Sequence, residues 1–127
     1  MTEPTEVIRI LTDYYTAFST LDVQAFLPYF HEPSLLIGPQ GVIATPTRAA
    51  LATAFAPTLE SLRARGFGRT ELSVQQSRKL SGTAALVIGV AIRYKADGQE
   101  LERVGITYVL QKSDTDWKIV VTVLHDL

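Results

Sequence analysis

Three long runs of strand-forming residues close this sequence, and they set what the rest of the chain must cover. Residues 101–127 read LERVGITYVLQKSDTDWKIVVTVLHDL, two apolar, β-branched-rich runs around the polar tetrapeptide Ser113-Asp114-Thr115-Asp116. Strand formers on both sides of turn residues signal a hairpin. Residues 83–94 form a third such run and lead into the first two through Lys95-Ala96-Asp97-Gly98-Gln99. Asp-Gly favours a tight turn because both central residues need φ > 0. The three runs therefore predict an antiparallel meander.

Register follows from these turns. A two-residue turn at Asp97-Gly98 sets Ile92 opposite Arg103, Val90 opposite Gly105 and Ile88 opposite Thr107. A four-residue loop over residues 113–116 sets Thr107 opposite Thr122, Gly105 opposite Leu124 and Arg103 opposite Asp126. Directly opposed residues share a face. One face then carries Ile88, Val90, Ile92, Arg103, Gly105, Thr107, Val109, Val120, Thr122, Leu124 and Asp126. The other carries Val87, Ala91, Val104, Ile106, Tyr108, Leu110, Ile119, Val121 and Val123. Both faces are apolar, whereas a solvent-facing side alternates with polar residues. Helices over one face and a second copy of the chain over the other account for this, so a homodimer is expected.

The first half supplies the helices. Val7, Ile10, Leu11, Tyr14, Phe18 and Leu21 recur at helical spacing over residues 5–21, with Pro4 at or just before the first turn. Asp22 is placed to cap a short second helix carrying Val23, Phe26, Leu27 and Phe30, in which Pro28 is awkward. His31-Glu32-Pro33 breaks it, and residues 34–38 and 41–44 read as short strands around Pro39-Gln40-Gly41. Thr47 caps a third helix with Leu51, Phe55, Leu59 and Leu62 on its buried stripe. Gly66 ends that helix, and Pro57 is expected to kink or split it. Residues 69–78 alternate as a further strand. No linker or repeat divides the chain, so residues 1–127 are expected to form a single domain.

Composition excludes several function classes. A net charge of −1 offers no basic excess for nucleic acid. No apolar run reaches membrane-spanning length, and MTEPTEVIRI is too polar for a signal peptide. With no cysteine there is no disulfide, thiolate nucleophile or cysteine metal site, which fits a cytoplasmic setting. No HExxH or clustered His/Asp/Glu spacing points to a metal, and nothing calls for a cofactor.

Two helices, a short hairpin, a third helix, then long strands with a late tryptophan: this order resembles the NTF2-like superfamily, in its SnoaL-like and ketosteroid-isomerase-like branches. The resemblance is carried by Asp13-Tyr14-Tyr15-Thr16-Ala17-Phe18 before Leu21-Asp22, by Phe26-Leu27-Pro28-Tyr29-Phe30, and by Asp116-Trp117-Lys118-Ile119-Val120. It implies an α+β, cone-shaped, cystatin-like fold, with a curved antiparallel sheet wrapped around about three N-terminal helices. It also implies an apolar cavity and homodimers that pack through the convex sheet face. Resemblance to ketosteroid isomerase puts the face of Ile88, Thr107 and Thr122 toward the cavity. Tyr14 then matches that enzyme's helix tyrosine, while Gly38 and Thr107 stand where its catalytic base and acidic hydrogen-bond donor belong.

On this basis the pocket is expected to be built from Tyr14, Phe18, Phe30, Phe55, Thr107 and Thr122, with Arg103 and Asp126 paired at its mouth. An arginine there would orient a carboxylate or carbonyl through its planar guanidinium. Three functional readings follow: a pocket protein for a small, mostly apolar molecule; an isomerase-like enzyme working by acid–base chemistry with His125 or Asp126 and Tyr14; and a non-catalytic assembly module.

Overall fold

The computed structural model describes residues 5–114 and 116–127. Pro4 and Thr115, expected in the first helical turn and the last hairpin loop, lie outside the described residues. The chain runs α1 (Thr5–Phe18), α2 (Val23–Phe26), β1 (Phe30–Gly38), β2 (Gly41–Thr45), α3 (Arg48–Ala64), β3 (Phe67–Lys79), β4 (Ala84–Lys95), β5 (Glu100–Ser113) and β6 (Asp116–His125). The strands form one sheet in the order β2-β1-β6-β5-β4-β3. Every pairing is antiparallel except that of β1 with β6, which is parallel because the chain crosses from one end of the meander to the other. The sheet curves without closing, and the helices fill its concave side, giving the α+β cone.

Local chemistry explains the helix boundaries. The Asp22 side chain accepts from the Gln24 amide at 3.0 Å, and Thr47 accepts from Ala50 at 3.1 Å. Pro28 is accommodated because α2 stops at Phe26, and Leu27–Tyr29 continue as a 3-10 turn with the proline in its first positions. There its missing N–H has no helical acceptor to lose. Pro57 neither splits nor ends α3, which is helical from Arg48 to Ala64. The Glu32 carboxylate accepts from the Arg48 amide at 2.6 Å, and Arg48 Nη2 donates to Phe30 O at 3.0 Å, fastening β1 to the start of α3.

The β4–β5 register is as expected, with Ile88 opposite Thr107, Val90 opposite Gly105 and Ile92 opposite Arg103. The turn reaches it differently. Only Gly98 takes a positive φ, +92°, and its N–H donates to Lys95 O at 2.9 Å. Lys95 N–H then bonds Gln99 O at 2.7 Å, and an irregularity between Arg93 and Tyr94 restores the register.

Two expectations about β6 are corrected. Near the loop the register is as expected, from Ser113 opposite Asp116 to Leu110 opposite Ile119. Val120 then bulges out of the ladder, so Val109 faces Val121, Thr107 faces Val123 and Gly105 faces His125. The expected Thr107–Thr122, Gly105–Leu124 and Arg103–Asp126 pairs do not form. Moreover, the concave face is the one with Val87, Ala91, Ile106, Tyr108, Leu110 and Ile119, all buried, while Ile88, Val90, Thr107 and Val109 point to the convex side. Where the bulge shifts the pleat, Thr122 opposite Tyr108 and Leu124 opposite Ile106 turn inward.

The core joins that concave face to α1 and α3 through aromatic rings. Tyr14 meets Phe30 edge-on at 5.3 Å, Phe26 meets Phe55 at 5.1 Å, and Phe18 meets Phe67 at 5.9 Å. Trp117 is 3 % exposed and belongs to this core. Gly89 sits where β4 and β3 approach closely. A Cβ there would collide with the Ser73 carbonyl oxygen on β3 and lie 3.1 Å from Leu72 Cδ1. Gly89→Ala therefore has to shift backbone. We expect it to lower unfolding free energy by about 1–3 kcal/mol in a denaturant titration. An unchanged midpoint would mean that β3 yields freely.

Candidate functional site

A cavity of about 500 Å³ opens on the concave side of the sheet. Helix α1 contributes Tyr14, Tyr15 and Phe18, and α3 contributes Ala54, Phe55 and Thr58. The β1–β2 hairpin forms one wall from Leu36 to Ile43, and Thr70, Ala91, Arg93, Ile106, Tyr108, Thr122 and Leu124 line the sheet side. These positions follow from periodicity: Tyr14 and Phe18 are one helical turn apart, and Ile106 and Tyr108 are two apart on a strand.

Polar groups gather at the inner wall. The Tyr15 and Tyr108 hydroxyls are 2.6 Å apart and share a buried hydrogen bond that either can donate. Tyr14 packs against both, with ring centroids 5.2 and 6.4 Å away, and its hydroxyl makes no hydrogen bond among the described residues. Arg93 follows Ala91 on β4, with Thr70 opposite on one side and Glu102 on the other. Its Nη1 donates to Glu102, whose other oxygen accepts from Arg65 Nη2 at 2.5 Å. Two guanidiniums thus share one carboxylate. Arg93 Nε, Thr70 Oγ1 and Thr122 Oγ1 are buried without a partner among the described residues.

The electrostatics follow from burial. Burial pushes the Tyr15 phenol up to about 12, against the opposing effects of its hydrogen bond with Tyr108 and the charge of Arg93. Tyr14 and Tyr108 are raised as well, first by burial and then by neighbouring phenols, with Arg93 again opposing. Burial works against the Glu102 carboxylate too, but hydrogen bonds and charge from Arg65 and Arg93 outweigh it and hold the group below the usual carboxylate range. At neutral pH the wall therefore presents phenols and hydroxyls with their protons in place and one partly neutralised guanidinium. Among the described residues, neither a carboxylate nor an imidazole lines the cavity.

The residues singled out in the sequence separate into two groups. Tyr14, Phe18, Phe55 and Thr122 line the cavity. Phe30 lies behind Tyr14 in the core, 1 % exposed. Arg103 is turned outward and binds Glu100 through two hydrogen bonds of 3.0 and 2.5 Å, not Asp126, which lies exposed beyond the end of β6. Thr107 and His125 meet on the convex side, where Thr107 Oγ1 is 2.8 Å from His125 Nε2. The bulge at Val120 accounts for the placements on β6: it carries Thr122 inward and His125 outward. Arg93, Thr70, Tyr15 and Tyr108 were missed. The signal for Arg93 was present, since stepping by two from Val87 and Ala91 reaches Arg93, opposite Glu102 on the same apolar face.

Residues 5–127 match the family model described as NTF2-like protein (DUF6841). No curated protein matches the sequence. Among solved structures, an NTF2-like protein of unknown function from Shewanella oneidensis is 20% identical with a TM-score of 0.74, covering 96% of this chain and 98% of that one. A ketosteroid isomerase-like protein from Erwinia carotovora atroseptica is 17% identical with a TM-score of 0.73, covering 95% and 93%. A protein described as a calcium/calmodulin dependent protein kinase II association domain, from Xanthomonas campestris, is 17% identical with a TM-score of 0.76, covering 100% and 93%. At these identities the likeness establishes the fold alone.

The buried phenols make stability alkali-sensitive. Their folded pKa values lie above the unfolded value near 10, so the unfolded state loses protons first and stability falls as pH rises. The loss should begin near pH 10 and, for Tyr15, run to about 12. Denaturant unfolding followed across this range, with Tyr15→Phe as comparison, measures it; a Tyr15→Phe curve of unchanged slope would show that Tyr15 does not contribute.

Proposed function

The chain belongs to this NTF2-like family, and on that premise we propose that it is a pocket protein that binds a small, mostly apolar molecule. The observation that carries the reading is the cavity itself. Its size falls in the range of small-molecule sites, roughly 300–1,000 Å³, and aromatic and aliphatic side chains line it with a few converging polar groups. Phe18, Phe55, Ile37 and Ile106 offer apolar contact, while Tyr14 and Arg93 offer hydrogen-bond donors. An isomerase-like acid–base enzyme is the weaker reading, because His125 and Asp126 lie outside the cavity and only Tyr14 of the three expected catalytic residues is within it. We place this protein in the cytoplasm as a single domain, in keeping with its lack of cysteine.

A homodimer through the convex face belongs to the same proposal. Leu86, Ile88, Val90, Ile92, Val109, Val121 and Val123 lie on or beside that face and are only half-buried in the isolated chain. Apolar area of this kind favours a second copy over water. The assembly reading finds further support in the fold shared with the Xanthomonas campestris association domain.

Native mass spectrometry of gently purified protein tests both parts. The expected spectrum shows a dimer carrying a non-covalent adduct that denaturation removes. Val90→Lys, on the convex face and away from the cavity, should give a monomer that keeps the adduct. A wild-type monomer would overturn the dimer. A wild-type dimer that never carries an adduct, even after incubation with octanol and octanoate, would overturn the pocket reading.

A further inference from the structure

We infer that the cavity takes a monocarboxylate, whose charged end meets Arg93 beside Thr70 and the tyrosine hydroxyls while its hydrocarbon body lies against Phe18, Phe55 and the β1–β2 hairpin. This rests on the pocket reading above and goes further by naming the chemistry of the ligand's polar end.

Arg93 carries the argument. A guanidinium has five N–H donors in a rigid fork. In this chain one of its nitrogens, Nη1, is engaged, by Glu102. Nε is buried without a partner, and Nη2 makes no hydrogen bond among the described residues. The Arg93 side chain is only 15% exposed, so water does little to replace the missing partners. A guanidinium held in an apolar wall with its donors unfilled is costly unless an acceptor arrives.

Charge balance selects the acceptor. Glu102 is shared between Arg93 and the more exposed Arg65, so two positive charges face one negative charge. No further charged side chain lines the cavity among the described residues. One unit of positive charge is left, which a monoanion neutralises and a phosphate dianion would overshoot in a low-dielectric site. A carboxylate also matches the planar fork and can accept from two nitrogens at once. Its remaining lone pairs fall to neighbouring donors: the Thr70 hydroxyl, paired with Arg93 across β3 and β4, is buried and unpartnered, and the Tyr14 hydroxyl is free to turn toward the cavity.

Octanoate and octanol, alike in chain and different at one end, serve as probes in isothermal titration calorimetry with the full chain. Octanoate should bind at least about tenfold more tightly than octanol, as expected for a charge-assisted pair. Arg93→Met should remove that preference while leaving octanol binding within about twofold. Thr70→Val, which removes an unpartnered hydroxyl beside Arg93 at nearly unchanged size and leaves the Arg93–Glu102 pair intact, should weaken octanoate and leave octanol unchanged; it keeps the inference testable if Arg93→Met does not fold, and octanoate binding unaltered in Thr70→Val would overturn it. Equal affinity of the wild-type protein for both probes would overturn the carboxylate inference and leave the pocket reading standing. A preference for octanoate that persists in Arg93→Met would also overturn it. Failure of both probes to bind would sink the pocket reading itself.

Discussion

One extra residue in the last strand decides which chemistry this fold encloses. Val120 has no partner on β5, and the ladder resumes one step out of phase on either side of it. Before the bulge Trp117 and Ile119 point inward and seal the base of the core. After it Thr122 and Leu124 point inward and Val123 and His125 outward. A strand without the bulge would send His125 to the same side as Tyr108, because strand side chains alternate strictly. The bulge therefore removes the imidazole from the cavity and replaces it with a hydroxyl and an aliphatic chain. It also adds local twist, the means by which a sheet bends into a cone. β3 carries a comparable irregularity between Val74 and Gln76, facing Gly89, so the curved sheet is relieved on both flanks of the β4–β5 pair.

The concave wall is organised around burial of unlike groups. Phenols bury readily when their hydroxyls find one another, as Tyr15 and Tyr108 do. A guanidinium does not, and here it is held by half of a shared carboxylate. Glu102 pays the electrostatic cost for Arg93, and Arg65 in turn keeps Glu102 ionised from the C-terminal end of α3. The helix, the strand pair and the cavity wall are thus linked through three charged side chains. Removing the middle one would leave two like charges, one of them buried, and this is the kind of break that costs most in a low-dielectric interior.

Much of the architecture was legible in the sequence because its signals are local. Asp22 and Thr47 announce caps, and the β4–β5 register follows from counting across Asp97-Gly98. The cone and its family follow from the order of elements. The site was legible from the helices and blurred on the sheet. Tyr14, Phe18 and Phe55 reach the cavity because a helical stripe can be read without knowing its partner. Thr107 and Arg103 do not, because a strand face has meaning only relative to the layer covering it, and here both faces are apolar. A single unpaired valine cannot be recognised within IVVTV, where every neighbour is an equally good strand former. Thr122 reaches the cavity for a different reason from the one that placed it there: the pleat shifted and the faces exchanged, so two displacements cancelled.

That exchange also bears on what the site can do. Acid–base catalysis at neutral pH needs a group that gives and takes a proton in that range. The candidates for that role lie elsewhere: His31 is engaged with Pro33 O at 2.9 Å, His125 with Thr107 on the convex side, and Asp126 lies past the last strand. Inside, the polar side chains are hydroxyls, the Gln40 amide and a guanidinium, every one of them able to donate a hydrogen bond, and neither a carboxylate nor an imidazole stands among them. A wall rich in donors holds electron-rich groups in place, and its apolar surround strengthens each such bond by excluding water. The bulge at Val120 thus sets which β6 side chains meet this donor-rich wall: Thr122 and Leu124 face it, and His125 does not.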